Sequence, residues 1–173
     1  GVFTDIQPPG ASGSSITGLS PDGSIIFGQY FAADQKFHAY TLNKDGKYTD
    51  VMPSGAIDAS INGYFADSKV AYGTFHTSDT KHHAFILSQD GTIKDLTPTG
   101  AINSKIDGVS PDCSLLYGHF KASIGNNHAF IIAENGQLQD INPVNAITSS
   151  LNGFSQDSAC LLYTSPSPRD QRG

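Results

Sequence analysis

The sequence predicts an all-β protein, and two observations carry that expectation. The chain repeats itself without insertion or deletion: Asp5, Asp50, Asp95 and Asp140 stand 45 residues apart, as do Pro8, Pro53, Pro98 and Pro143, Gly18, Gly63, Gly108 and Gly153, and Asp22, Asp67, Asp112 and Asp157. Within each copy, short apolar runs alternate with Gly, Pro and Asp turn signals, and no helical period occurs. A fixed period of this length means units that bury their apolar faces only against their neighbours. Three copies are complete, 3–47, 48–92 and 93–137, and a fourth runs over 138–159.

The first copy, read in order, gives four strands. A run from Ser14 to Ser20 meets Pro21-Asp22-Gly23, where Pro presets φ and Gly accepts a positive φ, so the chain turns back. The return run, Ser24 to Tyr30, carries apolar residues on both parities and is expected to be buried on both faces. Gly28, with Gly73 and Gly118 in the other copies, marks a bulge or a close backbone approach inside that strand. After a segment that differs in every copy, a third strand begins at His38-Ala39, and at His83-Ala84 and His128-Ala129. Asp45-Gly46, Asp90-Gly91 and Asn135-Gly136 are favoured in two-residue type I′ turns and return the chain into a fourth strand, which Pro53 ends. Four short antiparallel strands in about 45 residues make one blade of a β-propeller, so the chain reads as a partial β-propeller of tandem four-stranded antiparallel repeats.

Composition excludes some functions. A formal charge of −6, a pI near 5.3 and thinly spread lysines argue against a phosphate-backbone surface, so nucleic acid is not an expected partner. No run approaches the roughly 18 apolar residues of a membrane span. The sequence opens without Met on the last strand of a repeat, and a longer protein with upstream segments is expected.

Register fails after Ala159. Where the pattern calls for an apolar strand with Gly at position 163, the chain reads Cys160-Leu161-Leu162-Tyr163-Thr164-Ser165-Pro166-Ser167-Pro168-Arg169-Asp170, and both arginines lie beyond. That string resembles a translated transposase-type sequencing adapter, so 160–173 is expected to be foreign to the natural protein and to have no settled place in the fold; the alternative is a genuine Ser/Pro-rich linker. With this tail set aside one cysteine remains, Cys113, standing where the first copy has Gly23. It reads as a substituted turn residue, not as a reactive thiol, which would want a His partner and an electropositive setting.

Taken together, the His-Ala-Phe/Tyr strand start, the Gly-bearing turn, the strand ending in Asp-aliphatic, the Ile/Leu-x-Gly step and the aliphatic pair before Tyr/Phe-Gly resemble the HAF repeat of bacterial extracellular proteins. The likeness spans Phe3 to Ala159 and departs from the usual Leu-Gly-Gly wording at Pro8-Pro9-Gly10 and Pro53-Ser54-Gly55. It implies a secreted or cell-surface location, sometimes as an autotransporter passenger, with no established chemistry.

His38, His83 and His128 are the most tempting chemical groups, but identical groups at equivalent places do not converge on one point, and they read as packed or hydrogen-bonded strand residues. A two-residue Asp45-Gly46 loop pairs positions that sum to 91, which sets Asp50 opposite Thr41 and leaves His38 without it. The faint calcium-loop pattern from Asn43 to Asp50 is not repeated in the other copies, and no Gly-rich phosphate loop, metal-spaced Cys/His set or glycosidase carboxylate pair is found. No cofactor, metal ligand or catalytic residue is assigned.

Function is therefore expected where the copies differ. In an up-and-down blade, the second-to-third-strand loops share one face with the crossovers. These loops carry Phe31, Asp34 and Lys36 in the first copy, His76, Asp79, Lys81 and His82 in the second, and Lys121, Asn126 and Asn127 in the third. Residues that break a repeat are the better candidates for contact with a partner, here an extracellular protein or carbohydrate; the bland alternative is that nothing constrains them. The resulting expectation is a non-enzymatic extracellular binding or adhesion scaffold, with a fragment of a propeller enzyme of glycosidase or lyase kind as the alternative.

Overall fold

The computed structural model describes residues 6–67, 69–123 and 125–155, and the backbone of 161–164. It is all-β, without a helix among these residues. The first blade is β1 (Gly13–Leu19), β2 (Ile25–Phe31), β3 (Phe37–Asn43) and β4 (Tyr48–Val51); the second is β5 (Ala56–Tyr64), β6 (Ala71–Thr77), β7 (His82–Leu87) and β8 (Ile93–Asp95). The third is β9 (Asn103–Val109), β10 (Leu115–Lys121), β11 (Asn127–Ala133) and β12 (Leu138–Asp140), and β13 (Ser150–Phe154) with β14 (Leu161–Thr164) opens a fourth. Neighbours within each blade are antiparallel. One parallel pair, Phe37 beside Asp58, joins the first blade to the second. The repeat's last strand, on which the sequence is expected to open, falls partly outside the described residues, and 6–10 form no strand.

The last hairpin of each blade corrects the sequence reading. Tyr40 pairs with Asp50 and Ala39 with Val51, so paired positions sum to 90. The Asn43 N–H donates to the Lys47 carbonyl and the Gly46 N–H to the Asn43 carbonyl, closing a three-residue loop. Only the glycines are left-handed, at φ 78°, 87° and 70° for Gly46, Gly91 and Gly136, whereas a type I′ turn needs a positive φ at both central residues. A type I turn followed by one left-handed residue serves the same Asp-Gly wording, and the extra residue moves the register by one.

The glycine in the second strand marks both things expected of it. A Cβ at Gly28, Gly73 or Gly118 would lie 2.0, 2.1 or 2.0 Å from the carbonyl oxygen of Ser15, Ser60 or Lys105. The approach is this close because the first strand bulges there: the pairing skips Thr17, Asn62 and Asp107 in the three blades, and Asn152 in the fourth. A bulge leaves one residue unpaired and re-aims its side chain, which gives every blade a place for a residue that the ladder does not need.

The core lies between blades. Phe27, Ala39 and Val51 of the first blade pack with Ala59, Ile61, Phe75, Phe85 and Leu87 of the second, whereas Tyr72, Ala84, Ile86 and Leu96 of the second pack with Leu116, Phe120, Phe130 and Ile132 of the third. Burial on both faces of the second strand is met in β6, which has a blade on either side, while β2 is mostly half-buried. The seams are also hydrogen-bonded: the buried Ala84 and Ala129 N–H groups donate to the Ser104 and Ser149 hydroxyls of the following blade, at 2.8 and 2.9 Å.

The expectation that the chain has no settled place from Cys160 onward is corrected at β14. Phe154 pairs with Leu161, Gly153 with Leu162 and Leu151 with Tyr163, which carries the repeat's register and its bulge into the fourth blade. Ladder hydrogen bonds need backbone alone, and Leu-Leu-Tyr-Thr favours a strand. The chemical break remains, for Tyr163 stands at the position held by Gly28, Gly73 and Gly118. Residues 156–160 and 165–173 lie outside the described residues.

Candidate functional site

The second-to-third-strand loops differ in sequence, apart from the repeated Asp34/Asp79 and Lys36/Lys81, but share a backbone. Each is a three-residue loop: Ala32, Thr77 and Ala122 donate their N–H groups to the carbonyls of Lys36, Lys81 and Asn126. A left-handed residue sits at the same place in all three, Gln35 at φ 64°, Thr80 at 65° and Gly125 at 90°. Below the loops, cross-strand pairing sets one row of side chains across each blade. The rows are Gly13, Phe31 and Phe37; Asp58, His76 and His82; and Asn103, Lys121 and Asn127. They join end to end through the parallel pair Phe37–Asp58 and through the His82 N–H, which donates to Asn103 Oδ1 at 3.2 Å.

Five of the sequence-predicted residues, Phe31, His76, His82, Lys121 and Asn127, thus stand in one line that runs from aromatic through imidazole to cationic and amide chemistry. The others are bonded within their own loops or to the neighbouring blade. Asp34 accepts the Lys36 N–H and reaches His38 Nε2, both at 3.2 Å, and Lys36 Nζ donates to the Ala56 carbonyl at 3.0 Å. Asp79 is held at about 2 by the Lys81 ammonium, 2.5 Å away, and then by the Thr77 hydroxyl. Asn126 closes its loop through its carbonyl. The Phe31 and Phe37 rings lie 5.1 Å apart with Phe37 exposed, and the His76 and His82 rings 4.0 Å apart.

The periodic histidines are hydrogen-bonded strand residues, but the partner rejected from the sequence is the one they have. His38 Nδ1 lies 2.8 Å from Asp50, His83 Nδ1 2.7 Å from Asp95 and His128 Nδ1 3.1 Å from Asp140. The three-residue hairpin is the reason, since it puts Asp50 opposite Tyr40, diagonal to His38 on the same face. An aromatic ring covers each imidazole, Tyr30 at 5.4 Å, Phe75 at 4.9 Å and Phe120 at 5.2 Å. Burial alone would push His38 down, yet its hydrogen bonds to Asp50 and Asp34 outweigh it and raise it above its ordinary value. Burial, and then the bond to Asp50, push the Tyr30 phenol up to about 12.

A group raised on folding stabilises fully below its unfolded value and loses that contribution as pH rises through its folded value. The chain is therefore expected to lose about 0.5 kcal/mol between mildly acidic and mildly alkaline pH on account of His38, the scale of a half-exposed ion pair. Melting curves of the parent and His38→Gln across this range check it: the variant flattens the slope, and an unchanged slope refutes the assignment.

Two polar pairs went unseen in the sequence. His76 Nδ1 is hydrogen-bonded to Asp58, and His119 Nδ1 lies 2.6 Å from Asp107, the bulge residue of the third blade, whose other oxygen is 3.6 Å from Lys105 Nζ. The signal was there in columns: Thr17, Asn62 and Asp107, then Gln29, Thr74 and His119, are positions where copies disagree outside the loops. Beside the second pair, at the seam of the second and third blades, a groove of about 520 Å³ is lined by His82, Asn103, Lys105, His119, Lys121 and Asn127. Burial pushes His82 down, and the neighbouring His76 ring does so further. A wider cleft of about 560 Å³ at the opposite end is lined by turn residues, among them Asp22, Lys44, Asp45 and Lys69. Cys113 sits in a first-hairpin turn with φ 56°, as a substituted turn residue should. Among the described residues no cluster of His, Cys, Asp or Glu has metal-holding geometry, and no helix is long and apolar enough to cross a membrane.

No family model and no curated protein matches the sequence. Solved structures do resemble it. TolB from Acinetobacter baumannii matches with a TM-score of 0.53 at 20% identity over 84% of this chain and 35% of its own. A protein assigned as TolB from Agrobacterium tumefaciens matches with a TM-score of 0.55 at 17% identity over 90% of this chain and 55% of its own. Prolyl oligopeptidase B from Galerina marginata, bound to a hydrolysis and macrocyclization substrate, matches with a TM-score of 0.50 at 15% identity over 89% of this chain and 25% of its own. The chain thus spans between a quarter and a little over half of these proteins. At such identities the likeness speaks of fold alone, and the fold it identifies is the β-propeller.

Proposed function

We propose that this protein is a non-enzymatic, extracellular or cell-surface repeat protein of the HAF type that binds a protein or carbohydrate through its second-to-third-strand loop face. One observation supports the reading: below three loops with one backbone, three equivalent rows hold three chemistries, Phe31 and Phe37, His76 and His82, and Lys121 and Asn127. Where folding dictates residues, the copies agree, as at Gly28, Gly73 and Gly118; along the loop-face rows nothing in the ladder requires Phe, His or Lys, and the copies diverge. The location rests on the resemblance to HAF repeats, and a propeller by itself implies no activity.

A second reading, part of a propeller enzyme, is favoured by Asp107–His119 beside a groove, since a carboxylate-held imidazole can move protons. The nearest groove-lining hydroxyl, that of Ser104, is buried and already bonded to the Ala84 N–H and to Thr97, so it offers no nucleophile. The test is an array of host and bacterial glycans and immobilised extracellular-matrix proteins probed with the labelled chain. Binding to a defined subset is expected to be lost in Phe37→Ser/His76→Ser/Asp79→Ser, with stability kept within about 1 kcal/mol. Retained binding by the variant moves the site elsewhere, and turnover of a bound glycan supports the enzymatic reading.

A further inference from the structure

The seam between the second and third blades differs in charge from the seam before it. The same places that hold Lys105, His119, Lys121 and Asn103 in the third blade hold Ser60, Thr74, His76 and Asp58 in the second, and the place of His82 is taken by Phe37. Each seam therefore carries an acid paired with an imidazole, Asp58 with His76 and Asp107 with His119, but the second adds two ammonium groups, Lys105 and Lys121, around one groove. In a protein of formal charge −6 this is a local inversion of sign.

We propose that this groove binds an oxyanion, the carboxylate or phosphate group of a small ligand, with Lys105 and Lys121 supplying the charge and Asn103 and Asn127 supplying directed hydrogen bonds. The inference rests on the loop-face reading in that it names a ligand class for one part of that face.

The groups present to the groove mainly as donors. Lys121 has no carboxylate within ion-pair distance among the described residues, and Lys105 only shares Asp107, at 3.6 Å, with the closer His119. The Asn103 oxygen is taken by the His82 N–H, which leaves its amide N–H groups for a ligand. His119 is held through Nδ1, so its Nε2 faces away from Asp107. A groove of about 520 Å³ is of the size that accepts a sugar acid or a sugar phosphate. Two ammonium groups with only Asp107 between them repel one another, and a bound oxyanion relieves that repulsion while forming charge-assisted hydrogen bonds.

The experiment is a heteronuclear NMR titration of the whole chain with glucuronate, inorganic phosphate and, as a neutral control, glucose. Glucuronate or phosphate is expected to shift the amides around Asn103–Asp107 and His119–Lys121 saturably, and glucose is not. Which anion binds more tightly distinguishes a carboxylate from a phosphate ligand. Lys105→Gln/Lys121→Gln should weaken binding about tenfold or more, and Lys44→Gln/Lys47→Gln at the opposite end should leave it unchanged. Absence of saturable shifts with either anion, equal shifts at lysines throughout the chain, or undiminished binding by the Lys105/Lys121 variant overturns the proposal. If array binding survives Lys105→Gln/Lys121→Gln but not the Phe37/His76/Asp79 variant, the oxyanion site fails and the loop-face reading stands; saturable anion binding with no array binding upholds the site and removes the wider reading.

Discussion

Replacing Gly73 with Ala is expected to cost about 3 kcal/mol, at the upper end for an overpacked core, which lowers the melting temperature by about 10 °C in a chain of this size. The new methyl group would lie 2.1 Å from the Ser60 carbonyl oxygen and 2.7 Å from two atoms of the Phe85 ring. Neither neighbour has room to yield. Ser60 is part of the ladder beside the bulge at Asn62, and Phe85 is fully buried in the core between the first two blades. Gly46→Ala is the informative contrast, because Gly46 meets nothing within 4 Å and has only its φ of 78° to defend. Its cost should be about 1 kcal/mol, the price of a left-handed alanine. Thermal melts of both variants decide the matter; equal losses would mean that the close approach at Gly73 is not what its position demands.

The second large effect concerns association. Ile16 and Leu19 on β1 are 55% and 60% exposed, whereas their repeat equivalents in the second blade, Ile61 and Tyr64, are 2% and 7% exposed because the first blade covers them. The first blade thus turns toward solvent a face built to be covered, and an apolar face on a first strand invites pairing with another chain. The chain is expected to self-associate as its concentration rises, and Ile16→Lys/Leu19→Lys to sediment as a monomer with stability changed by less than about 1 kcal/mol. A parent chain that stays monomeric at high concentration would sink this expectation.

What was legible in the sequence was whatever local chemistry decides. Gly28 announced its close approach, Pro21-Asp22-Gly23 its turn, and the 45-residue spacing of aspartates and prolines the blade itself. What was not legible depended on a count of one. Asp45-Gly46 suits loops of two or three residues alike, and that single residue decides whether Asp50 faces Thr41 or lies diagonal to His38. Asp107 and His119 escaped for a related reason: they are 12 residues apart, and which residues of the two strands meet depends on the register of a bulged pair, in which Lys105 stands opposite His119. Within the loops, Asp79 and Lys81, which hold each other, repeat Asp34 and Lys36 of the first copy, whereas Lys121, which has no ion-pair partner among the described residues, stands where the other copies have Phe31 and His76.

The placement of the core between blades has a mechanical consequence. Along β7, Phe85 and Leu87 belong to one core while Ala84 and Ile86 belong to the next, so a single strand is the shared wall of two rooms. Loss of an end blade empties one room and leaves the other standing, whereas loss of the middle blade opens both. Stability in such an array passes from neighbour to neighbour, and the second blade, shared by both of these cores, is their keystone.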